Sequence, residues 1–325
     1  MVNVLCIVQE GRLQYEALLF MASFNKFHQG ANFNVYMAEP QAGTLWDVEP
    51  EVTDKDTHEM LEARGAQIIP LHSEVFGSTY PNGNKIEALR LLPEGEPFIF
   101  FDTDTLFTGS LDGIAFDFDT PAASAKCDGT WPQPDLYGPG YAEIWRSLYD
   151  KFGLDFDSSL DMAQLDEYWR RYLYFNAGFF YYKCPKTLGD RYQEYATAIR
   201  DDPPAELDGQ AIYPWLDQIA LPLVIHSLGG GRGGAAAHAL DHSVTCHYRV
   251  LSLLYAREDQ RVIDILEEVT APNKIKKLLK GSDAFKRLVF QGHGQKLRDI
   301  ITPDDLLNSE EKLRKKIKNR GFWYR

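Results

Sequence analysis

The chain has no apolar run long enough to cross a bilayer, no CxxC pair and no excess of positive charge. Each absence removes a class of function. A membrane-spanning helix needs about 20 consecutive apolar residues, so a helical integral membrane protein is not expected. The four cysteines, Cys6, Cys127, Cys184 and Cys246, stand far apart, which fits neither a structural zinc site nor a dense disulfide framework. Three of them lie in apolar strand-like runs and read as buried free thiols in a reducing compartment. With 34 Lys and Arg against 47 Asp and Glu the formal charge is -13, the wrong sign for a protein whose main partner is a nucleic-acid backbone. Residues 2–8 are too short and too β-branched for a signal-peptide core and lack a basic lead-in. A cytoplasmic protein is expected, in solution or peripheral at a membrane.

What is present is ample material for a core: 325 residues, 44% hydrophobic and 13% aromatic. Residues 2–8, 33–37, 66–71 and 97–101 read as strands, and 13–27, 53–64 and 84–92 carry apolar residues at helical spacing. Strands alternating with helices predict a parallel sheet covered on both faces. A short strand at 122–126 follows. The insertion at about 127–172 is rich in aromatics, with Trp131, Tyr137, Tyr141, Trp145, Tyr149, Tyr168 and Trp169. Beyond it the pattern predicts a strand at 174–182, helices at 186–200 and 215–221, a strand at 223–226 and a mobile glycine-rich loop at 229–234. The expected organisation is one elaborated α/β domain over residues 1–250, with a helical appendage over 251–325. From Lys312 onward the chain carries seven basic residues and no acid, and it ends in Gly321-Phe322-Trp323-Tyr324-Arg325. Such a tail could rest on an anionic membrane surface or fold its aromatics back over the domain.

The most informative feature is Asp102-Thr103-Asp104, entered through the wholly apolar Phe98-Ile99-Phe100-Phe101. In a strand, side chains two apart share a face, with Cα atoms about 6.6 Å apart. Both carboxylates could therefore flank one ion at the C-terminal edge of the sheet, where α/β proteins bind ligands. Two such carboxylates repel unless a cation neutralises them, and a hard divalent ion is the natural partner.

The apolar strand into Asp102-Thr103-Asp104, then Tyr174-Phe175-Asn176-Ala177-Gly178-Phe179, then Asp217-Gln218 opening a helix, follow one another in a recognisable order. Over roughly its first 250 residues the chain resembles GT-A glycosyltransferases, in particular the retaining glycogenin-like and bacterial galactosyltransferase-like families. The resemblance implies a Rossmann-like, mixed but mainly parallel sheet. It also implies transfer of a monosaccharide from a nucleotide sugar, such as a UDP-sugar, to a carbohydrate, lipid or protein acceptor, with Mn2+ or Mg2+ and retention of configuration. Asp104 would be the main metal ligand, with Asp102 on the metal or the ribose. The third ligand would be a downstream histidine, either His247, after the strand-like Val244-Thr245-Cys246, or His293, in Gln291-Gly292-His293-Gly294-Gln295-Lys296. Asn176 would lie near the donor sugar, and Asp217 with Gln218 would face the transferred sugar or the acceptor.

Two cations are candidates for the diphosphate. Lys85 stands in a first helical turn, where its charge opposes the helix dipole and so calls for another reason. Arg232 sits in the glycine-rich loop, which could close over a bound donor. The carboxylate pair also resembles the first motif of haloacid-dehalogenase-like phosphohydrolases, with Asp102 as nucleophile. Against that family stand Leu106 where a threonine is usual, three strands before the motif instead of none, and no later Gly-Asp-x-x-x-Asp. A nucleotide-sugar-binding protein without turnover is the third reading.

Overall fold

The computed structural model describes residues 1–29 and 32–324. Eight strands form: β1 (Val2–Ile7), β2 (Phe33–Pro40), β3 (Ala66–Leu71), β4 (Phe98–Phe101), β5 (Thr105–Phe107), β6 (Ala122–Ser124), β7 (Asn176–Tyr182) and β8 (Thr245–His247). Six make the central sheet in the order β3-β2-β1-β4-β7-β6. β1 to β4 run parallel, and β7 is antiparallel to both β4 and β6. β5 and β8 form a separate two-stranded ladder. This is the mixed, mainly parallel α/β sheet expected from the sequence. Helices cover both faces, which is why β1 and β4 read as continuous apolar runs instead of alternating ones.

Strand order fixes where a ligand can bind. The chain steps from β1 to β2 to β3 in one direction, then returns past β1 to lay β4 on its other side. The direction of winding reverses between β1 and β4, and the crevice beyond their C-terminal ends is the topological switch point. Ile7 ends β1 there, and Asp102 follows β4.

One face of the sheet packs against the helix Arg12–Phe27 and, behind it, the helices Leu251–Arg257 and Gln260–Thr270, in a core that includes Phe20, Phe101 and Tyr255. The other face packs against Pro185–Asp201, Leu216–Ser227 and the aromatic insertion. Most of the insertion's rings are structural: Trp131 and Trp145 are buried edge to face at 5.6 Å, and Tyr141 stacks on Tyr172. Tyr137, by contrast, is almost wholly exposed.

Three local expectations need correction. Residues 223–226 are not a strand but the second half of the helix Leu216–Ser227, with Pro222 inside it. Leu221, Leu223, Val224 and Ile225 are all fully buried, so no polar face marked the helical period, and the proline looked like a boundary. The helix expected over 84–92 is α-helical only over Asn84–Glu87 and tightens to 3-10 over Ala88–Leu91. All four cysteines are free, but only Cys6 and Cys246 are buried.

The tail's aromatics fold back on the domain. Phe322, Trp323 and Tyr324 pack against the first core, and Ser252 Oγ donates to the Phe322 carbonyl at 2.7 Å. Arg325 lies outside the described residues. Among them, no helix is long and apolar enough to cross a membrane. The helix Glu310–Asn319 buries Leu313 and Ile317 and is anchored at its first residue, where Glu310 meets Arg249 at 3.0 Å, Arg257 at 2.6 Å and Arg314 at 2.7 Å. Burial alone would raise the Glu310 pKa, but the three guanidiniums outweigh it and hold the group at about 2. A carboxyl depressed in the folded state contributes stability above its unfolded value and loses it as pH falls toward the folded one. The melting-temperature difference between wild type and Glu310→Gln is therefore expected to be full at neutral pH and to shrink as pH drops from about 4.5 toward 2. A difference independent of pH over that range would show that the carboxylate's charge does not anchor the helix.

Candidate active site

A cleft of about 830 Å³ opens at the switch point, within the size range of small-molecule sites, about 300–1,000 Å³. Asp102 and Asp104 lie on its floor, though not by strand alternation. β4 ends at Phe101 and β5 begins at Thr105, so both carboxylates sit in the bend between two strands. Three bonds hold the bend: Asp102 N–H donates to Gly178 O at 2.8 Å, Tyr248 N–H donates to Asp104 O at 3.0 Å, and the Thr103 hydroxyl donates to Ile7 O. Each of the three residues is thus tied to a different strand or its continuation.

The β5–β8 ladder brings in the histidine. Its register sets His247 opposite Thr105, and His247 Nε2 lies 3.0 Å from Asp104 Oδ1 and 3.7 Å from Asp102 Oδ2. One ligand atom from each of Asp102, Asp104 and His247 falls within 4.8 Å of the others. Of the two histidines considered, this is the one brought to the carboxylates. His293 opens the helix His293–Ile300, and its Nδ1 pairs with the Tyr324 hydroxyl at 2.9 Å. Its geometry is that of an anchor for the tail.

Gly178 makes room for the imidazole. A Cβ on Gly178 would stand 2.3 Å from His247 Nδ1, far inside contact distance. The smallness of Gly178 therefore lets the ring lie against the backbone of β7 beside the carboxylates.

Lys85 lies under the floor. Its ammonium meets Asp102 Oδ1 at 2.8 Å and Asp217 Oδ2 at 3.1 Å, and its side chain is 8% exposed. The Ala177 carbonyl is 3.3 Å away. Burial disfavours the ammonium, but Asp102 and Asp217 outweigh that effect and hold its pKa above the ordinary lysine value. Asp217, 2% exposed, also accepts from the Tyr80 hydroxyl at 2.7 Å, while the Tyr192 hydroxyl donates to its carbonyl. Gln218, next along the helix, accepts from the Tyr174 hydroxyl at 2.9 Å, and Asn176 Oδ1 accepts from Gly178 N–H at 3.1 Å. Asp217, Gln218 and Asn176 all line the cleft.

Charge is finely divided among these groups. Burial raises the Asp102 pKa despite Lys85. For Asp104 burial acts the same way, but His247 and Arg12 reverse it and lower the pKa. Burial would lower the His247 pKa, and Asp104 raises it instead. Arg12, which the sequence reading did not single out, reaches the Arg249 carbonyl at 2.7 Å, Glu16 at 3.2 Å and Asp104 at 3.7 Å. Its place just after β1, at the switch point, was the available signal.

Arg232 is not brought to the cleft. Its guanidinium donates to the carbonyls of Ser159 at 2.7 Å and Arg171 at 2.6 Å, pinning the glycine-rich loop to the insertion. In this structure the residue expected to close over a diphosphate lies against the insertion instead. Close approach is what Gly230 serves: a Cβ there would lie 2.2 Å from Pro121 O.

Residues 4–229 match the family model described as Rhodobacterales glycosyltransferase domain. No curated protein matches the chain in sequence. Among solved structures it is similar to galactosyltransferase LgtC in complex with donor and acceptor sugar analogs, at 13% identity and TM-score 0.43 over 72% of this chain and 73% of that one. It is also similar to the glycosyltransferase GlyE of Streptococcus pneumoniae TIGR4, at 13% identity and TM-score 0.46 over 89% and 65%. The bifunctional glycosyltransferase WbbM matches at 13% identity and TM-score 0.39 over 71% and 38%.

The fit of His247 against β7 can be tested directly. Gly178→Ala is expected to displace the ring and weaken Mn2+ binding, followed by calorimetry, by at least about tenfold, the scale on which disturbing a ligand's support acts. The backbone angles of Gly178 are open to alanine, so the fold should persist, with a loss of stability on the order of 1–3 kcal/mol from crowding the ring. Unchanged Mn2+ affinity in this variant would show that the imbedded ring position is irrelevant to the ion.

Proposed function

The chain belongs to the Rhodobacterales glycosyltransferase domain family, and from that premise we propose that it moves a monosaccharide from a nucleotide sugar of the UDP class to an acceptor hydroxyl, with a divalent cation held by Asp102, Asp104 and His247. The observation that carries this reading is the convergence of two carboxylates and one imidazole within 4.8 Å at the sheet's switch point. Carboxylate oxygens suit a hard ion, and the imidazole favours Mn2+ over Mg2+ in such a mixed set. When bound, the ion supplies Lewis-acid stabilisation of the diphosphate leaving group.

The chain's own groups do the rest. In the transfer the bond from the anomeric carbon to the diphosphate breaks, the acceptor oxygen bonds to that carbon, and the hydroxyl's proton is released. Lys85 fixes the Asp102 carboxylate for the ion and Asp217 for the sugar hydroxyls with a single ammonium. Asp217, Gln218 and Asn176 line the wall where donor sugar and acceptor meet, each already oriented by a neighbour: Tyr80, Tyr174 and the Gly178 N–H. Such prior orientation is what lets polar groups favour a transition state without reorganising. The family assignment sets aside the phosphohydrolase reading, in which Asp102 would be a nucleophile.

Calorimetry with UDP, with and without Mn2+, tests the proposal. UDP is expected to bind in a Mn2+-dependent manner, and Asp104→Ala to abolish that dependence without loss of fold. UDP binding indifferent to Mn2+ would sink the metal-dependent reading. Metal-dependent binding with neither donor hydrolysis nor transfer across acceptors would point to a binding protein without turnover.

The pH dependence of metal binding has a definite sign. A ligating imidazole must be neutral, so protons compete with the ion. Because the His247 pKa lies above the ordinary 6.5, Mn2+ affinity is expected to fall as pH drops through a value higher than that, and to plateau above it. An affinity flat from pH 8 to about 6 would exclude His247 as a ligand.

A further inference from the structure

A second chamber, of about 460 Å³, adjoins the cleft. The two share Asp128, Asn176, His247, Arg249 and Glu310, so the chamber reaches the carboxylate–imidazole cluster at His247, while Asp102, Asp104, Lys85 and Asp217 line the cleft alone. At this junction the protein gathers positive charge around one side chain. Glu310 Oε2 lies 3.0 Å from Arg249 and 2.6 Å from Arg257, and Arg314 Nε donates to Oε1 at 2.7 Å. Arg249 and Arg257 also reach Asp128 Oδ2, each at 3.2 Å.

Three observations suggest more than a tail anchor. First, a single carboxylate held by three guanidiniums is geometrically a bound anion, since guanidinium forks match carboxylate and phosphate alike. Second, Arg249 holds φ at +61°, a left-handed conformation uncommon outside glycine, which persists where the surroundings impose it. Arg12 contributes to that constraint by donating to the Arg249 carbonyl from within the cleft. Third, of the chamber's remaining acids Asp241 accepts from Ser124 and from Ala125 N–H and Glu258 lies against Cys246, which leaves Asp128 to share Arg249 and Arg257 with Glu310. Lys126 adds a further cation to the wall.

We propose that Arg249 and Arg257 on the chamber wall, with Arg314 reaching Glu310 from the cleft side, form the binding site for an anionic group, carboxylate or phosphate, on the acceptor, and that Glu310 holds this place until the acceptor displaces it. The proposal rests on the transferase reading of the cleft. The donor belongs in the crevice between β1 and β4, so a second substrate must bring its hydroxyl to the same metal site from another direction. The chamber is the space that reaches it from there. A neutral acceptor would leave the three guanidiniums with Glu310. An acidic one exchanges one anion for another, at little cost in charge separation.

The test titrates wild-type protein, without donor and at low salt, with methyl glucoside, glucuronate and glucose 6-phosphate. One of the charged ligands is expected to bind at least about tenfold more tightly than the neutral one, the scale of a hydrogen bond to a charged group, and its identity decides between carboxylate and phosphate. Glu310→Gln should tighten that binding, a gain that misfolding cannot produce. Arg257→Ala should weaken it, and Arg257→Lys should restore part. Equal binding of charged and neutral ligands, or a Glu310→Gln variant no tighter than wild type, overturns the proposal. Mn2+-dependent UDP binding, measured on the same samples, reports the donor cleft separately. Its loss alongside an intact preference for the charged ligand would overturn the cleft reading, and its presence without that preference would overturn this one.

Discussion

Negative charge gathered below the surface is the constraint to which the rest of the site answers. Asp102, Asp104, Asp217 and Glu16 all lie around one floor, and Glu16 and Asp217 are almost completely buried. Carboxylates that close raise one another's pKa, and each buried one costs desolvation as well. The fold meets this with cations placed between acids instead of beside them: Lys85 between Asp102 and Asp217, His247 on Asp104 and Asp102, and Arg12 between Glu16 and Asp104. The compensation is incomplete at Asp102 and Glu16, whose pKa values stay raised by burial. A divalent ion would complete it.

The placement of those cations is a matter of topology. Lys85 enters from the short helical segment that follows β3, Arg12 from the turn after β1, and His247 from β8, which among the described residues pairs with β5 alone. A two-stranded ladder standing apart from the main sheet is marginal by itself. Here it is supported by helix packing, since Phe20 and Phe24 of the helix Arg12–Phe27 meet Phe107 edge to face at 5.0 and 5.2 Å. The same packing therefore supports both a core and the register that delivers a candidate metal ligand.

How much of this could be read from the sequence depended on the distance over which each feature is determined. β1 and β4 declared themselves through unbroken apolar runs, and the acidic pair through its position at the end of one. Lys85 drew notice because a cation at a helix start needs a reason; the sequence pointed to a diphosphate, and the structure pairs it with Asp102 and Asp217, which are remote in sequence. The choice between His247 and His293 was not legible, since it turns on the pairing of β5 with β8, set by contacts remote in sequence. The bend at Thr103 was hidden for a related reason: strand alternation and a bend can both bring residues two apart together, and only the bond to Ile7 distinguishes them. The position of Arg232 was not legible, because its carbonyl partners at Ser159 and Arg171 lie 73 and 61 residues away in sequence.

The tail shows how such local signals can be correct and still incomplete. Its basic residues and terminal aromatics were visible, and the aromatics do cover the core. The residue that connects the tail to the cleft is instead an acid just before the basic run. Glu310 gains its significance entirely from Arg249 and Arg257, which belong to other segments. One residue, Tyr248, separates Arg249 from His247, so the helix that closes the chain lies close to the histidine on the cleft floor. Arg249, held in a left-handed conformation, thus joins the carboxylate of the last helix to the segment that carries His247 by direct contact.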